Sequence, residues 1–231
     1  MKVDRLWRGL REQVLPERCV VCAQPCNAML CAPCRRELPW NRSACPRCAR
    51  PQQTATLCAP CARAFPPFDA AWSAFRYAPP VDRAIQGLKY HADFRAGRWL
   101  GREMATALAL RGAPLPELLL PVPLHRSRLR HRGYNQALEL ARVIGGSLGI
   151  AVAADAARRL RATEDQIGKS AAERRRNVRK AFAVNAARIA ERHLALIDDV
   201  MTTGSTAAEL ARVCRAAGAR RIEVWTAARA D

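Results

Sequence analysis

The run Leu194–Thr206, LALIDDVMTTGST, limits what this chain can fold into more than any other segment. Apolar residues lead into two adjacent acids, Asp198 and Asp199. Thr202, Thr203, Gly204, Ser205 and Thr206 follow, and then an Ala-rich helical run. A buried strand, a small-residue loop and a helix N-terminus in that order form a unit of a parallel α/β sheet. The first N–H groups of a helix lack intrahelical partners and the helix dipole is positive there, so anions are favoured. Gly204 lets the backbone come close to a ligand, and the hydroxyls add donors. Such a loop cradles a phosphate without any lysine. The two carboxylates beside it would repel that phosphate and suit sugar hydroxyls or a divalent cation instead. Together they describe a site for a ribose 5-phosphate. No G-x-x-x-x-G-K-[ST] and no G-x-G-x-x-G after a strand competes with this reading.

Nine of the 10 cysteines precede residue 62. Eight form four C-x-x-C pairs: Cys19/Cys22, Cys31/Cys34, Cys45/Cys48 and Cys58/Cys61. CVVCAQP…LCAPC returns as CPRCARP…LCAPC, which is an internal repeat. A C-x-x-C turn sets two thiolates on one side of a knuckle, and two knuckles complete a four-thiolate tetrahedron. The repeat therefore predicts two zinc ribbons, with zinc as a structural metal. Iron in the same sulfur sites and ligand pairing across the repeats stay open. Disulfides are the weakest alternative for a chain expected in a reducing compartment. Cys26 falls outside the repeat, where the second copy has Gln52, and reads as a spare thiol.

The chain is long enough for one medium domain plus a small one, divided at 1–64 and 65–231. No apolar run of about 18 residues predicts a membrane span. The N-terminus MKVDRLWRGLREQVLPERC lacks an apolar signal core, so a cytoplasmic protein is expected, with membrane association only through partners. Val3, Leu6, Trp7, Leu10 and Val14 follow helical spacing, and that amphipathic helix is expected to pack on the ribbon or the second domain, a membrane surface being the alternative. Lys and Arg number 39 against 20 Asp and Glu, for a formal charge of +19. A balance this basic attracts polyanions, although a GC-rich genome also enriches arginine. Two four-thiolate zinc sites at −2 each would leave the ribbon module only mildly basic, which argues against a dedicated DNA clamp.

Beyond a linker at Ala64–Phe68, strands are expected at Ala71–Tyr77, Leu118–Pro123, Ala181–Val184, Leu194–Ile197 and Ile222–Thr226. Helices are expected at Val81–Lys89, Arg95–Leu110, Tyr134–Leu148 and Gly204–Ala217. Alternating strands and helices predict a parallel sheet with its ligand at the strands' carboxyl ends, where Pro123 and Asp199 lie. Cys214 sits on the apolar face of the last helix as a core thiol.

The segment Pro121–Gln136 reads PVPLHRSRLRHRGYNQ. Arg126, Arg128, Arg130 and Arg132 recur at every second residue, so an extended segment would align them on one side. Arginine binds phosphate bidentately, so the segment is a candidate for a diphosphate or nucleic-acid contact; a solvated basic loop is the plainer alternative. Arg161–Ser170 lacks apolar periodicity and reads as a mobile flap or a plain surface loop. Ser170 and Glu173 suggest a capping box that opens a helix after it.

The LALIDDVMTTGST run resembles the phosphoribosyl-diphosphate (PRPP) signature of type I phosphoribosyltransferases. With the cysteine knuckles, PVPLHRSRLRHRGYNQA and RRLRATEDQIGKSAAERRRNVRKAF, nearly the whole chain resembles the ComF family of competence proteins and its DNA-utilisation relatives. The resemblance implies a type I phosphoribosyltransferase-like parallel sheet with a small N-terminal zinc-ribbon module. It implies that Asp198 and Asp199 hold the ribose hydroxyls and Thr202–Thr206 the 5-phosphate. The arginine segment, with Arg130 and Arg132 as catalytic candidates, would hold the diphosphate. Magnesium would accompany PRPP. The implied activity is phosphoribosyl transfer to an unknown acceptor, in DNA uptake or DNA utilisation. A rival reading is a non-catalytic protein that binds nucleotide or single-stranded DNA and works with DNA-uptake proteins. Few aromatics interleave with the arginines, Trp99 and Tyr134 being nearest, so no base-stacking platform is evident.

Overall fold

The computed structural model describes residues 17–162 and 178–230. The N-terminal helix expected at Val3–Val14 lies outside them, as do residues 163–177, which hold most of the expected flap and its capping box. The chain divides into two compact units, Met1–Pro39 and Trp40–Asp231.

The first unit carries the first cysteine repeat. Arg18 bridges Pro25, and Ala23 turns the knuckle with φ 60. Cys31 caps helix α1 (Ala32–Glu37), which has a proline in its first turn. The second repeat, in the larger unit, uses the same devices. Ala44 bridges Pro51, Ala49 has φ 55, and Cys58 caps α2 (Ala59–Arg63). The internal repeat of the sequence is thus a repeat of structure.

In the larger unit five strands form one parallel sheet. They are β1 (Ala70–Arg76), β2 (Leu118–Pro121), β3 (Ala151–Val152), β6 (His193–Met201) and β7 (Arg221–Arg229), in the order β1-β7-β6-β2-β3. The central strands are covered on both faces, so they read as continuous apolar runs rather than alternating ones. Leu194, Leu196, Ile222 and Val224 are fully buried. The covering helices are α3 (Val81–Tyr90), α4 (Phe94–Ala109), α6 (Gln136–Leu148) and α8 (Ser205–Ala216), linked by the short α5 (Arg126–Arg132) and α7 (Ala186–Ile189). Helix α8 lays Ala207, Leu210, Ala211 and Cys214 on the sheet. A Cβ on Gly101 of α4 would stand 2.8 Å from Val143 of α6, so the glycine lets those two helices meet.

Three expectations need correction. The segment containing Ala181–Val184 does not join the parallel sheet. Its strand β5 (Phe182–Val184) pairs antiparallel with β4 (Ala157–Arg159) in a separate two-stranded sheet. The strand at Leu194 does not end at Ile197 but runs on to Met201, because the nine-residue β7 offers ladder partners as far as Arg229. The acid pair is therefore held inside the strand, more rigidly than a strand terminus would hold it. The arginine segment is helical, not extended. His125 accepts from the Ser127 N–H at its start, and Gly133 closes it at φ 82 with an N–H to the Leu129 carbonyl. Arginine is a good helix former, so a segment capped at both ends winds up.

Candidate functional site

A cavity of about 1000 Å³ opens at the carboxyl ends of β2 and β6. Asp198, Asp199 and the whole Thr202–Thr206 loop line it, together with Lys89, Arg128, His131, Arg132 and Arg159. Gly204 sits at φ 74, where an L side chain is strained, and this left-handed residue swings the chain from β6 into α8. The Thr203 hydroxyl accepts from the Ser205 N–H at 3.3 Å and meets the Ser205 hydroxyl at 2.7 Å. The loop thereby presents hydroxyls at the positive end of a twelve-residue helix.

The acid pair is internally braced. The Asp199 N–H donates to Asp198 Oδ1 at 2.9 Å, and the Val200 N–H to Asp199 Oδ1 at 3.0 Å. Asp199 is 3% exposed. Burial, and then the adjacent Asp199 carboxylate, push Asp198 well above the usual carboxylate range. Lys89 reaches across from α3 and brings Nζ to 3.4 Å from Asp199 Oδ2. Asp199 in turn raises the Lys89 pKa, against desolvation, with Asp198 adding to it. The site thus sets two adjacent carboxyl groups beside the Lys89 ammonium, a setting that also accepts sugar hydroxyls or a divalent cation.

Because α5 is a helix, its four arginines divide by turns. Arg128 and Arg132, four residues apart, are half-buried and line the cavity. Arg132 donates to Gln136 Oε1 at 2.7 Å and its guanidinium lies 5.6 Å from the Tyr90 ring centre. Arg126 lines a neighbouring hollow of about 680 Å³ with Phe94, Tyr134 and Arg158. Arg130 is exposed and is not among the residues that line the cavity. Trp99 is a core residue at 3% exposure, whereas Tyr134 does reach the cavity wall.

Sequence reasoning missed Lys89 and Arg159. Lys89 is one lysine at a helix end, far from the acids in sequence, and carries no motif. Arg159 sits on β4, 5.4 Å from the Phe182 ring, and burial lowers its pKa, with Arg128 nearby doing the same and Asp198 opposing. Only the pairing of β4 with β5, and its bridge to His125, turns Arg159 toward the site.

The cysteines form two centres. Cys19, Cys22, Cys31 and Cys34 bring their sulfurs within 4.8 Å of one another, and so do Cys45, Cys48, Cys58 and Cys61. Cys22 and Cys31 sulfurs are 3.8 Å apart, and Cys48 and Cys58 sulfurs 3.6 Å. A zinc tetrahedron with ~2.3 Å bonds has edges of about 3.8 Å, so the donor sets fit two structural zinc ions. Disulfides would need sulfurs about 2.05 Å apart. Burial raises the Cys19 and Cys45 thiols. Backbone donors, led by Cys22 N–H for Cys19 and Cys58 N–H for Cys45, outweigh it and bring them to about 6 and about 7. Cys26 and Cys214 belong to neither centre, and burial pushes Cys214 up to about 12.

Competence protein F of Haemophilus influenzae is 34% identical over 210 residues, covering 87% of this chain and 84% of that protein. The DNA utilization protein YhgH of Salmonella typhi is 33% identical over 219 residues, 91% of this chain and 96% of that one. The chain belongs to the ComF family. Within this ComF-family chain, residues 10–62 match the double zinc ribbon domain family, in agreement with the two four-cysteine centres. Solved structures with a related outline include the glutamine PRPP amidotransferase of B. subtilis, at TM-score 0.37 and 19% identity over 57% of this chain and 26% of that one. A purine phosphoribosyltransferase of Pyrococcus horikoshii follows at TM-score 0.29 and 14% identity, over 64% and 82%. Overlaps that partial are too weak to carry a residue assignment. The ComF-family chain has a five-stranded parallel sheet with N-terminal zinc ribbons. Among the described residues, no helix is long and apolar enough to cross a membrane.

Proposed function

We propose that this ComF-family chain binds PRPP with Mg²⁺ and transfers the phosphoribosyl group to an acceptor, in DNA uptake or DNA utilisation. The observation that carries this reading is the convergence of acid pair, phosphate loop and the two α5 arginines Arg128 and Arg132 on one cavity. Asp198 and Asp199 would accept hydrogen bonds from the ribose hydroxyls. The α8 N–H groups and the Thr202–Thr206 hydroxyls would hold the 5-phosphate. Arg128 and Arg132 would face the diphosphate. An acceptor lone pair forms a bond to the anomeric carbon as the carbon–oxygen bond to diphosphate breaks, and the electron pair leaves with diphosphate. The two guanidiniums would stabilise the charge that grows on that leaving group. Magnesium bound with PRPP would supply further charge neutralisation at the diphosphate. The biological setting follows the names of the relatives, a competence protein and a DNA utilization protein.

A second reading keeps the site and drops the transfer. The observation in its favour is Lys89, which neutralises part of the acid pair where a cation would otherwise be needed. In that reading the chain is an accessory protein, with single-stranded DNA or uptake proteins as partners. Diphosphate release from Mg²⁺-PRPP, measured against a panel of nucleobases and single-stranded DNA, separates the two. Acceptor-dependent release that is lost in Asp198→Asn/Asp199→Asn supports transfer. PRPP binding with no release under any acceptor favours the second reading, and no PRPP binding removes the transfer reading and leaves single-stranded DNA or uptake proteins as the partners to test.

A further inference from the structure

The phosphate loop starts directly after Met201, whose carbonyl is the last strand group before it. That carbonyl accepts from Arg229 Nη1 at 2.9 Å and from the Ala230 N–H at 3.0 Å. The Met201 side chain lies under the loop, with its sulfur 3.4 Å from where a Cβ on Gly204 would be. The same Arg229 guanidinium donates through Nε to the Cys48 carbonyl at 3.0 Å, and through Nη1 to the Ala230 carbonyl. Arg229 is 4% exposed, although it is an arginine. Cys48 is a donor position of the second four-cysteine centre.

One buried cation thus joins three segments: a metal knuckle, the end of β7 and the strand end that launches the phosphate loop. A guanidinium N–H that lost its carbonyl in this dry setting would stay unsatisfied, so the three segments are held to each other's positions. The knuckle has its own seat on the sheet. Asn41 Nδ2 donates to the Ala49 carbonyl at 2.9 Å, and Arg47 Nη1 to the Asp69 carbonyl at 2.7 Å. Four bound thiolates would fix the Cys48 carbonyl, and four free thiols leave the knuckle without that cross-link.

We propose that Arg229 is a positioning residue through which the second four-cysteine centre holds the Thr202–Thr206 loop in its ligand-receiving shape. The identity of the ligand rests on the PRPP reading above; the coupling of metal centre to loop does not. Hydrogen exchange read by mass spectrometry tests it on the metal-loaded protein. In Arg229→Gln and in Cys58→Ser, peptides spanning residues 199–206 should exchange about tenfold faster, the change that ~1.4 kcal/mol of local stability produces. Peptides of α6 should stay at the wild-type rate in both variants. Cys31→Ser, in the first centre, should leave the loop unchanged. Arg229→Lys, which keeps the charge but not the fork of donors, should fall between wild type and Arg229→Gln. The dissociation constant for Mg²⁺-PRPP should follow the same order.

The proposal is overturned if Cys58→Ser opens residues 44–61 while the loop stays protected. It is equally overturned if Cys31→Ser loosens the loop as much as Cys58→Ser does. If Arg229→Gln opens α6 as well, the Arg229→Lys comparison decides by the same rule. A loop that loosens as expected in a protein that never binds PRPP would keep the coupling and remove the PRPP reading.

Discussion

Alanine at Arg126, Arg128, Arg130 and Arg132, one at a time, gives four variants whose PRPP affinities depend on whether the segment is a helix or an extended strand. On α5 only Arg128 and Arg132 face the cavity, half-buried, while Arg126 and Arg130 are exposed. A hydrogen bond to a charged group contributes about 1.5–3 kcal/mol, so losing one such phosphate contact should raise the dissociation constant roughly 10- to 150-fold. An exposed arginine outside the cavity acts only through a field screened over about 8 Å at physiological salt, and its loss should cost less than about threefold. Arg132 also donates to Gln136, itself 4% exposed, so Arg132→Ala should lose about 1 kcal/mol of stability as well. Arg128→Ala is therefore the more direct readout. Titration calorimetry with Mg²⁺-PRPP at physiological salt measures all four. Equal losses across the four, or a larger loss at Arg130 than at Arg128, would refute the helical division of roles.

The left-handed Gly204 makes Gly204→Ala cost about 1–2 kcal/mol, or roughly 2–4 °C of Tm per kcal/mol, and an unchanged calorimetric Tm would contradict that conformation. Burial lowers the His193 pKa below its ordinary 6.5, and Glu223, 3.2 Å away, only partly opposes this. The unfolded chain then binds the extra proton first, so this stability is present above pH about 6.5 and is lost as pH falls toward the folded pKa. Urea unfolding should show wild type losing stability on acidification more steeply than His193→Gln, and parallel curves would count against the buried neutral histidine. In the zinc-loaded native protein an alkylating reagent should spare the fully buried Cys214 and modify the partly exposed Cys26. Mass spectrometry showing Cys214 labelled without unfolding would mean the α8 face is not packed on the sheet.

Much of this was legible because the relevant physics is local. The C-x-x-C spacing fixes each knuckle, and both centres assemble from the eight cysteines that the repeat picks out. The acid pair and the Thr-Gly-Ser-Thr loop are contiguous in sequence, and one strand-to-helix turn suffices to bring them together. In the arginine segment the two-residue repeat mimics strand periodicity, whereas the cap at His125 and the stop at Gly133 favour a helix. Lys89 and Arg159 were out of reach for another reason. They are brought to the acids by α3 and by the β4/β5 pair, and no local pattern records that long-range placement. Arg229 is a further case, since only the register of β6 against β7 sets it beside Met201.

We propose that Asp198, Asp199 and the Thr202–Thr206 loop form a PRPP site. A thermal-shift titration with PRPP, with and without Mg²⁺, tests this on the wild type and on Asp198→Asn/Asp199→Asn. Ligand at about 100 times its dissociation constant should add about 2.7 kcal/mol, roughly 5–10 °C for a chain of this size. A Mg²⁺-dependent shift of that order should appear in the wild type and disappear in the double variant. A wild type that PRPP does not shift, or a double variant shifted as much as the wild type, would contradict it.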